Sequence, residues 1–411
     1  MALAAGCSDV AIAGGGPAGA AAAIALAREG RRVLLVDASG DGAGAGAGGV
    51  THAHEGPRFR VGEGLPPSAR ALLRELGVLE RVLGDGHRAS AGTVAFWGAA
   101  TPHFNDFITQ LHGSGLQLDR ARFDASLREA AVAAGAELVE SARLRVVAAD
   151  ALAAIAIETT GRVSHQLSLC PAEGAPKPIE SRWLIDASGR AASLARSLGA
   201  ASVRYDRLLA FYLRLQAQTP GDQDGRSWVE AVEDGWWYSV LLPSNERLVA
   251  FFCDRATARR DALLDASALW EALRGAPNLH ALCNQYRYRP GIAGPRAADA
   301  SSRVLDKAGG ARWLAVGDAA LAFDPLSSKG ISSALYTGLQ AARTVIAADH
   351  GDSAAVARYA AHVRDVHRVY REQLRAFYAM EQRWPDAAFW AARVAESTAL
   401  HDRARSMSEG R

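Results

Sequence analysis

Residues 9–37, DVAIAGGGPAGAAAAIALAREGRRVLLVD, constrain this chain more than any other stretch. The apolar run 10–13 reads as a buried strand. Gly14-Gly15-Gly16-Pro17-Ala18-Gly19 follows, with G-x-G-x-x-G at Gly14, Gly16 and Gly19. Residues 20–29 are alanine-rich and strongly helix-forming, and Gly30 supplies a stop. Residues 33–36 form a second strand that ends at Asp37. Strand, glycine turn, helix and strand in this order predict a nucleotide-binding unit of an α/β fold. Gly14 permits the tight turn, Gly16 lets backbone approach a pyrophosphate, and Gly19 lets the helix pack close to the sheet. The helix starts at Pro17, which has no N–H, and from Ala18 onward it offers N–H groups and a positive dipole end to phosphates. Asp37 is placed to accept ribose hydroxyls, and its acidity favours FAD or NAD over a 2′-phosphate.

A second match, Gly44-Ala45-Gly46-Ala47-Gly48-Gly49, lacks that context, because His52, His54, Glu55 and Pro57 follow it rather than a helix. It reads as a flexible surface loop. His52 and His54 read as solvated, and no metal is expected.

A chain of 411 residues can hold two or three domains. Its apolar fraction of 49% is ample for a packed core and low for an integral membrane protein. A net charge of +2 gives no reason to expect a nucleic acid or a membrane as partner. Cys7, Cys170, Cys253 and Cys283 are scattered, so neither disulfides nor zinc are indicated and a cytoplasmic location fits. Ala5-Gly6-Cys7 resembles the end of a lipoprotein signal, yet too few residues precede it. Residues 10–27 are uncharged, but their glycines and Pro17 break them as a membrane helix.

Further along, Val61-Gly62-Glu63-Gly64-Leu65-Pro66-Pro67 precedes Ser68, which reads as the N-cap of a single helix, ARALLRELGVLERVL. Strands are expected at 93–97, 144–147, 153–158 and 163–169, and a helix at 118–135 with Arg120 near its start. Residues 181–185 run into Asp186-Ala187-Ser188-Gly189-Arg190. The pattern from 208 to 254 is β, and 256–274 and 279–285 read as helical. A strand enters Gly317-Asp318, then come Asp324-Pro325-Leu326-Ser327-Ser328-Lys329-Gly330 and a helix to about Ala348. Residues 354–378 form a long helix rich in Arg and His, whose charged face reads as solvated. The β block interrupts the α/β pattern, which predicts an inserted domain. The expected division is a Rossmann-like nucleotide-binding domain from 1–88, 113–203 and 300–350, a β-rich substrate domain from 89–112 and 204–299, and a helical segment over 351–411. A second nucleotide unit for nicotinamide is not visible.

Three motifs in order resemble the FAD-dependent aromatic hydroxylase superfamily: Gly14-x-Gly16-x-x-Gly19, the Asp186–Arg190 turn, and Gly317-Asp318 followed by Asp324-Pro325 and Gly330. The resemblance covers most of residues 9–345. It implies that FAD is the cofactor, with Arg120 beside the pyrophosphate, Asp318 at the ribityl or phosphate region, and Pro325 and Gly330 beside the isoalloxazine ring. Within the superfamily, the Gly62-Glu63 segment, Gly235-Trp236-Trp237-Tyr238 and the 324–331 loop are similar to flavin-dependent tryptophan halogenases and their non-halogenating relatives. Halogenases carry a Lys shortly before a strand Phe-x-x-Trp or Phe-Trp; here Ala89-Ser90-Ala91-Gly92-Thr93 precedes Phe96-Trp97. Their G-W-x-W-x-I-P becomes Gly235-Trp236-Trp237-Tyr238-Ser239-Val240-Leu241-Leu242-Pro243. A Glu and a Thr that some carry stand here as Ser327 and Lys329.

The chain resembles more fully the flavoproteins that mature tryptophylquinone cofactors, also through Arg383-Trp384-Pro385. That resemblance implies a monooxygenase that hydroxylates a Trp side chain of a protein or peptide partner with O₂, through a flavin C4a-hydroperoxide. The flavin would be reduced by NAD(P)H or by a separate reductase. Small-molecule hydroxylation, halogenation, reduction of isoprenoid double bonds and a non-catalytic flavin module are the alternatives. Lys329 is the candidate catalytic residue, a cation near the flavin, unless its ammonium faces solvent or pairs with Asp324 or Asp318. Trp236, Trp237 and Tyr238 are candidate substrate-pocket residues, with at least one turned to the core by strand alternation. Glu63 either approaches the flavin or caps the following helix.

Overall fold

The computed structural model describes residues 8–39, 59, 61–147, 164–255 and 260–393. The Gly/Ala loop with His52, His54 and Glu55, the strand expected at 153–158, and Cys7 lie outside them.

A mixed sheet with a parallel centre forms the nucleotide-binding layer, its edge strand Gly309–Gly310 running antiparallel. Its strand order is Gly309–Gly310, Trp313–Ala315, Lys177–Asp186, Ser8–Ala13, Val33–Val36, Glu137–Val139. Ser8–Ala13 pairs in parallel with both Val33–Val36 and Lys177–Asp186, with Ala13 opposite Val36 and Asp186. Ser8–Ala13 and Val33–Val36 are apolar and buried along almost their whole length, as the centre of a parallel sheet requires. Pro17–Arg28 packs on one face, and its alanines and Gly19 are buried. Gly338 of the helix Gly330–Asp349 comes so close that a Cβ there would lie 2.3 Å from the carbonyl of Ala18.

The β-rich layer is antiparallel except for one pair. Its order is Arg289–Pro290, Leu208–Gln216, Arg247–Asp254, Gly235–Leu241, Ser227–Val232, Gly92–Phe96, His103–Asp106. Gly92–Phe96 joins it in parallel to Ser227–Val232, so a segment from early in the chain completes a sheet built mostly from residues beyond 200. Its outer face, with Phe211, Leu213, Trp237 and Phe251, packs under Leu269, Leu273 and Leu279 of the following helices. The inner face, with Ala210, Trp236, Ala250 and Phe252, merges with the main core. A small sheet of Gly64–Leu65, Gly115–Gln117 and Arg88–Ser90 bridges the two layers.

Three expectations need correction. The helix after Ser68 is two helices, Ala69–Glu75 and Leu79–Gly84, broken where Gly77 takes φ +59°. Ser68 makes no side-chain cap bond. The charged face of the long helix Ala355–Ala379 is exposed at Arg358, His362, Arg364 and Arg368, as expected, but His367 and Arg371 are buried with Tyr359, Val363, Tyr370, Leu374 and Tyr378 on a stripe that faces the core. That stripe repeats every three or four residues, a signal the Arg and His content obscured.

Candidate active site

The parallel strands bring three distant motifs to one sheet edge. Gly14 follows Ser8–Ala13, Ala187 follows Lys177–Asp186, and Gly317 follows Trp313–Ala315 within two residues. The Ala187 N–H donates to the Ala13 carbonyl at 2.8 Å, and the Val316 N–H to that of Asp186 at 2.9 Å. In open α/β sheets, ligands bind outside such carboxyl ends.

The glycines have distinct local reasons. Gly14 has φ +111°, and a Cβ on it would lie 2.2 Å from the Ala187 carbonyl oxygen. A Cβ on Gly19 would lie 1.9 Å from the Gly14 carbonyl oxygen. Both positions are closed to any side chain. Gly16 differs: a Cβ there meets nothing within 4 Å, so the constraint comes from outside the protein. Its open face lies at the N-terminus of Pro17–Arg28, where N–H groups are unpaired within the helix. Gly317, at φ +55°, closes the far side, its N–H bonded to Thr337 Oγ1 at 2.8 Å and its α-carbon against Ala18. This cradle fits a dinucleotide pyrophosphate.

The other candidate cofactor residues surround it. Asp37 accepts from the Gly15 N–H at 2.6 Å and the Ser39 N–H at 2.5 Å, so a ribose must share its oxygens. Arg120 begins the helix Arg120–Ala133, capped by Asp119, and donates to the Gly62 carbonyl at 3.0 Å while pairing with Asp124 at 3.3 Å. It thus clamps the Gly62-Glu63 segment. Asp318 lies 3.5 Å from the Arg190 guanidinium, which also donates to the carbonyl of Ser301. Pro325 opens a short 3₁₀ turn after Asp324, and Gly330 starts the next helix. Pro325, Lys329 and Gly330 are exposed on this rim, and a Cβ on Gly330 would meet nothing within 4 Å. Lys329 pairs with neither Asp324 nor Asp318; its ammonium donates to Gln373 Oε1 at 2.9 Å.

Beneath the rim, Asp324 is buried and accepts from the Leu326 N–H and the Tyr378 hydroxyl. Burial, and secondarily the Asp206 carboxylate, push its carboxyl up to about 6. The backbone N–H of Asp324 donates to the Tyr370 hydroxyl at 2.7 Å. Sequence reading did not single out Tyr370 and Tyr378; the helical stripe was the available signal.

The three aromatic candidates separate as strand alternation requires. Trp236 stacks on Phe252 at 3.9 Å, with Nε1 donating to the Tyr378 hydroxyl at 3.1 Å. Trp237 points the other way and stacks on Phe251 in the outer core, so the structure places it outside the candidate site. Tyr238 turns to the inner face beside Glu63 and Ser227, where burial and then the Glu63 charge push its phenol up. Glu63 does not cap the next helix. It is fully buried, and desolvation raises its carboxyl to about 7 against the opposing pull of Arg120. Gln117, also not singled out from sequence, lies across the small sheet and donates to the Ser90 and Ser227 hydroxyls, each at 3.0 Å.

Comparison with known proteins agrees with this geometry. The tryptophan halogenase family model matches residues 99–409, and the FAD binding domain model matches residues 9–76. A putative FAD-dependent oxidoreductase, LodB, from Marinomonas mediterranea is 28% identical over 409 residues, covering 96% of this chain and 98% of that protein. The structure of QhpG, a peptidyl tryptophan dihydroxylase essential for tryptophylquinone cofactor biogenesis, superposes with TM-score 0.71 at 25% identity, covering 94% of this chain and 79% of that one. The myxobacterial chondrochloren halogenase CndH shares the fold, with TM-score 0.79 at 23% identity over 98% of this chain and 90% of that one. Among the described residues no helix is long and apolar enough to cross a membrane.

Proposed function

The chain belongs to the tryptophan halogenase family of FAD-dependent enzymes, and on that premise we propose that it hydroxylates an aromatic side chain rather than halogenating it. The substrate in this reading is a Trp of a protein or peptide partner, and the product is a step toward a quinone cofactor. The carrying observation is the make-up of the strands Arg88–Ser90 and Gly92–Phe96. The halogenases this chain resembles place a lysine just before that strand to capture hypohalous acid. The lysines here are Lys177, Lys307 and Lys329, none of them on either strand. At that place the Ser90 hydroxyl accepts from Gln117 instead. Oxygen transfer to an electron-rich ring needs no such amine. The likeness to a peptidyl tryptophan dihydroxylase supports the reading. So does the sheet edge at His103–Asp106, where Phe104, Ile108 and Leu111 stand exposed on and just after the last strand, a surface suited to a macromolecular substrate.

FAD, once bound and reduced by NAD(P)H or by a separate reductase, supplies the activation of O₂. The chain's own residues do the rest. Gly14, Gly16, Gly19 and the helix start would hold the pyrophosphate, with Arg120 and Asp318 as the charged residues of that region. The 324–330 loop is tied from below at Asp324 by Tyr370 and Tyr378 and would stand beside the ring. Lys329 is held by Gln373 as a fixed cation on that rim. Trp97 and Trp236 pack against Tyr378 and Phe252 stacks on Trp236, a dry core layer behind that loop.

The test is to mix the reduced, FAD-loaded protein with O₂, bromide and a Trp-bearing peptide from a quinone-dependent amine dehydrogenase. Mass spectra showing added oxygen support hydroxylation. Added bromine overturns it.

A further inference from the structure

A hollow of about 830 Å³ lies between the short helix Ser193–Ser197 and the strand Ser202–Arg204. Its lining carries Arg196, Arg204 and Arg303 and no carboxylate, with Ser193, Ser197 and Ser202 as the other polar side chains. Arg204 and Arg303 stand directly opposite each other on paired strands, a placement that like charges disfavour. Both turn to Asp299, Arg204 at 3.3 Å, and Arg190 lies 3.9 Å from the same carboxylate. Arg190 has Asp318 as a second partner. Arg196 is exposed and makes no ion pair among the described residues. Two nearby acids are turned to backbone instead: Asp306 accepts from the Ala201 N–H and Asp206 from the Ser302 N–H. Burial, then Arg204, Arg190 and Arg196, hold the Arg303 guanidinium below the usual arginine range. The hollow is short of negative charge.

The same strand has an open backbone edge. Ser202–Arg204 is the end strand of a three-stranded sheet and pairs only with Arg303–Leu305. The Asp306 N–H donates to the Ala201 carbonyl and the Tyr205 N–H to the Ser302 carbonyl, so the odd-numbered residues 201, 203 and 205 face that partner. Antiparallel bonding alternates, which turns the N–H and C=O of Ser202 and Arg204 outward. Their backbone groups have no backbone partner outside the ladder among the described residues. Their side chains share the face that lines the hollow, while Val203 points the other way. A free phosphate would answer the arginines and leave this edge untouched. An extended chain with an acid at every second residue answers both. Arginine on an edge also keeps like edges apart while admitting a strand of opposite charge.

We infer that Ser202–Arg204 receives an extended acidic segment of another polypeptide as an added strand, with its carboxylates over Arg196, Arg204 and Arg303. The third strand of the sheet, Leu321–Ala322, runs into the 324–330 loop, and Arg190 donates to the Phe323 carbonyl at 3.4 Å. A partner held here therefore docks beside the candidate active site. The inference does not rest on the hydroxylase reading, and its test needs no turnover.

The experiment is fluorescence anisotropy on the full-length, FAD-loaded protein with a rhodamine-labelled decapeptide of alternating Asp and Thr. The peptide should bind, and more weakly as salt is raised from low to physiological strength. Arg196→Gln with Arg204→Gln, both at exposed positions, should weaken binding about tenfold while flavin content and circular dichroism stay native. Arg368→Gln, on the exposed face of Ala355–Ala379, should leave binding as it is. N-methylation of the peptide at Asp blocks an antiparallel ladder, and at Thr a parallel one, so one of the two methylated peptides should bind about tenfold more weakly. No binding of the parent peptide overturns the proposal. Equal binding of all three peptides overturns it too, because charge alone would then hold the chain. Displacement of the peptide by inorganic pyrophosphate at concentrations well below its own dissociation constant assigns the hollow to a phosphate ligand and also overturns it.

Discussion

The hydroxyl of Tyr378 donates a 2.8 Å hydrogen bond to the buried carboxylate of Asp324, 54 residues earlier in the chain. The same oxygen accepts from Trp236 Nε1, so one phenol ties the C-terminal helix, the rim loop and the β-rich layer together. Tyr378→Phe removes one hydroxyl and leaves two buried groups unsatisfied. Unfolding stability should fall by about 2–4 kcal/mol, measured by denaturant titration. A loss within experimental error would mean that water replaces the hydroxyl.

Gly16 and Gly19 belong to one motif yet predict opposite outcomes. Gly16→Val meets open space, so the variant should fold with an unchanged thermal midpoint and purify colourless. Gly19→Ala drives a methyl into the Gly14 carbonyl and should prevent folding. Circular dichroism and the flavin absorbance of the purified proteins separate the two. A fully yellow Gly16→Val would refute the pyrophosphate assignment.

Lys329 is exposed and anchored to Gln373, so Lys329→Ala should change stability by under about 1 kcal/mol. As a fixed cation on the rim it should nonetheless matter to turnover. Product formation in a single turnover should slow about tenfold or more, with FAD still bound. Unchanged turnover would reduce Lys329 to a surface tether.

Glu63 carries a pH signature in the FAD-free protein. Its carboxyl is raised from 4.5 to about 7 in the folded state. The folded state therefore binds the proton more tightly than the unfolded one. The stability this contributes is full below about 4.5 and is lost as pH rises through 7. Relative to Glu63→Gln, the wild type should lose roughly 3 kcal/mol across that window. Parallel stability curves for the two proteins would show that the carboxyl is not buried as described.

Where sequence and structure agree, the determinants are local. The turn at Gly14–Gly19, the acid at Asp37 and the capped helix at Arg120 follow from backbone sterics and N–H geometry within about thirty residues. Where they differ, a distant contact intervenes. Ser68 offers a capping hydroxyl that the structure leaves unused, and Gly77 splits the helix behind it. Alternation placed Trp236 and Trp237 on opposite faces, but which face is the outer core was set by the helices that cover it.

The sequence by itself determined that this chain wraps a dinucleotide, because glycine's freedom of φ, the close approach at Gly19 and the helix N-terminus are written into consecutive residues. Only the tertiary structure decided which polar side chains are satisfied. The Lys329–Gln373, Tyr378–Asp324 and Gln117–Ser227 contacts span 44, 54 and 110 residues, and Glu63 is buried only in the folded chain. Burial turns a carboxylate from a solvated charge into an acceptor that needs a donor, and burial is a property of the folded chain, not of any stretch of it.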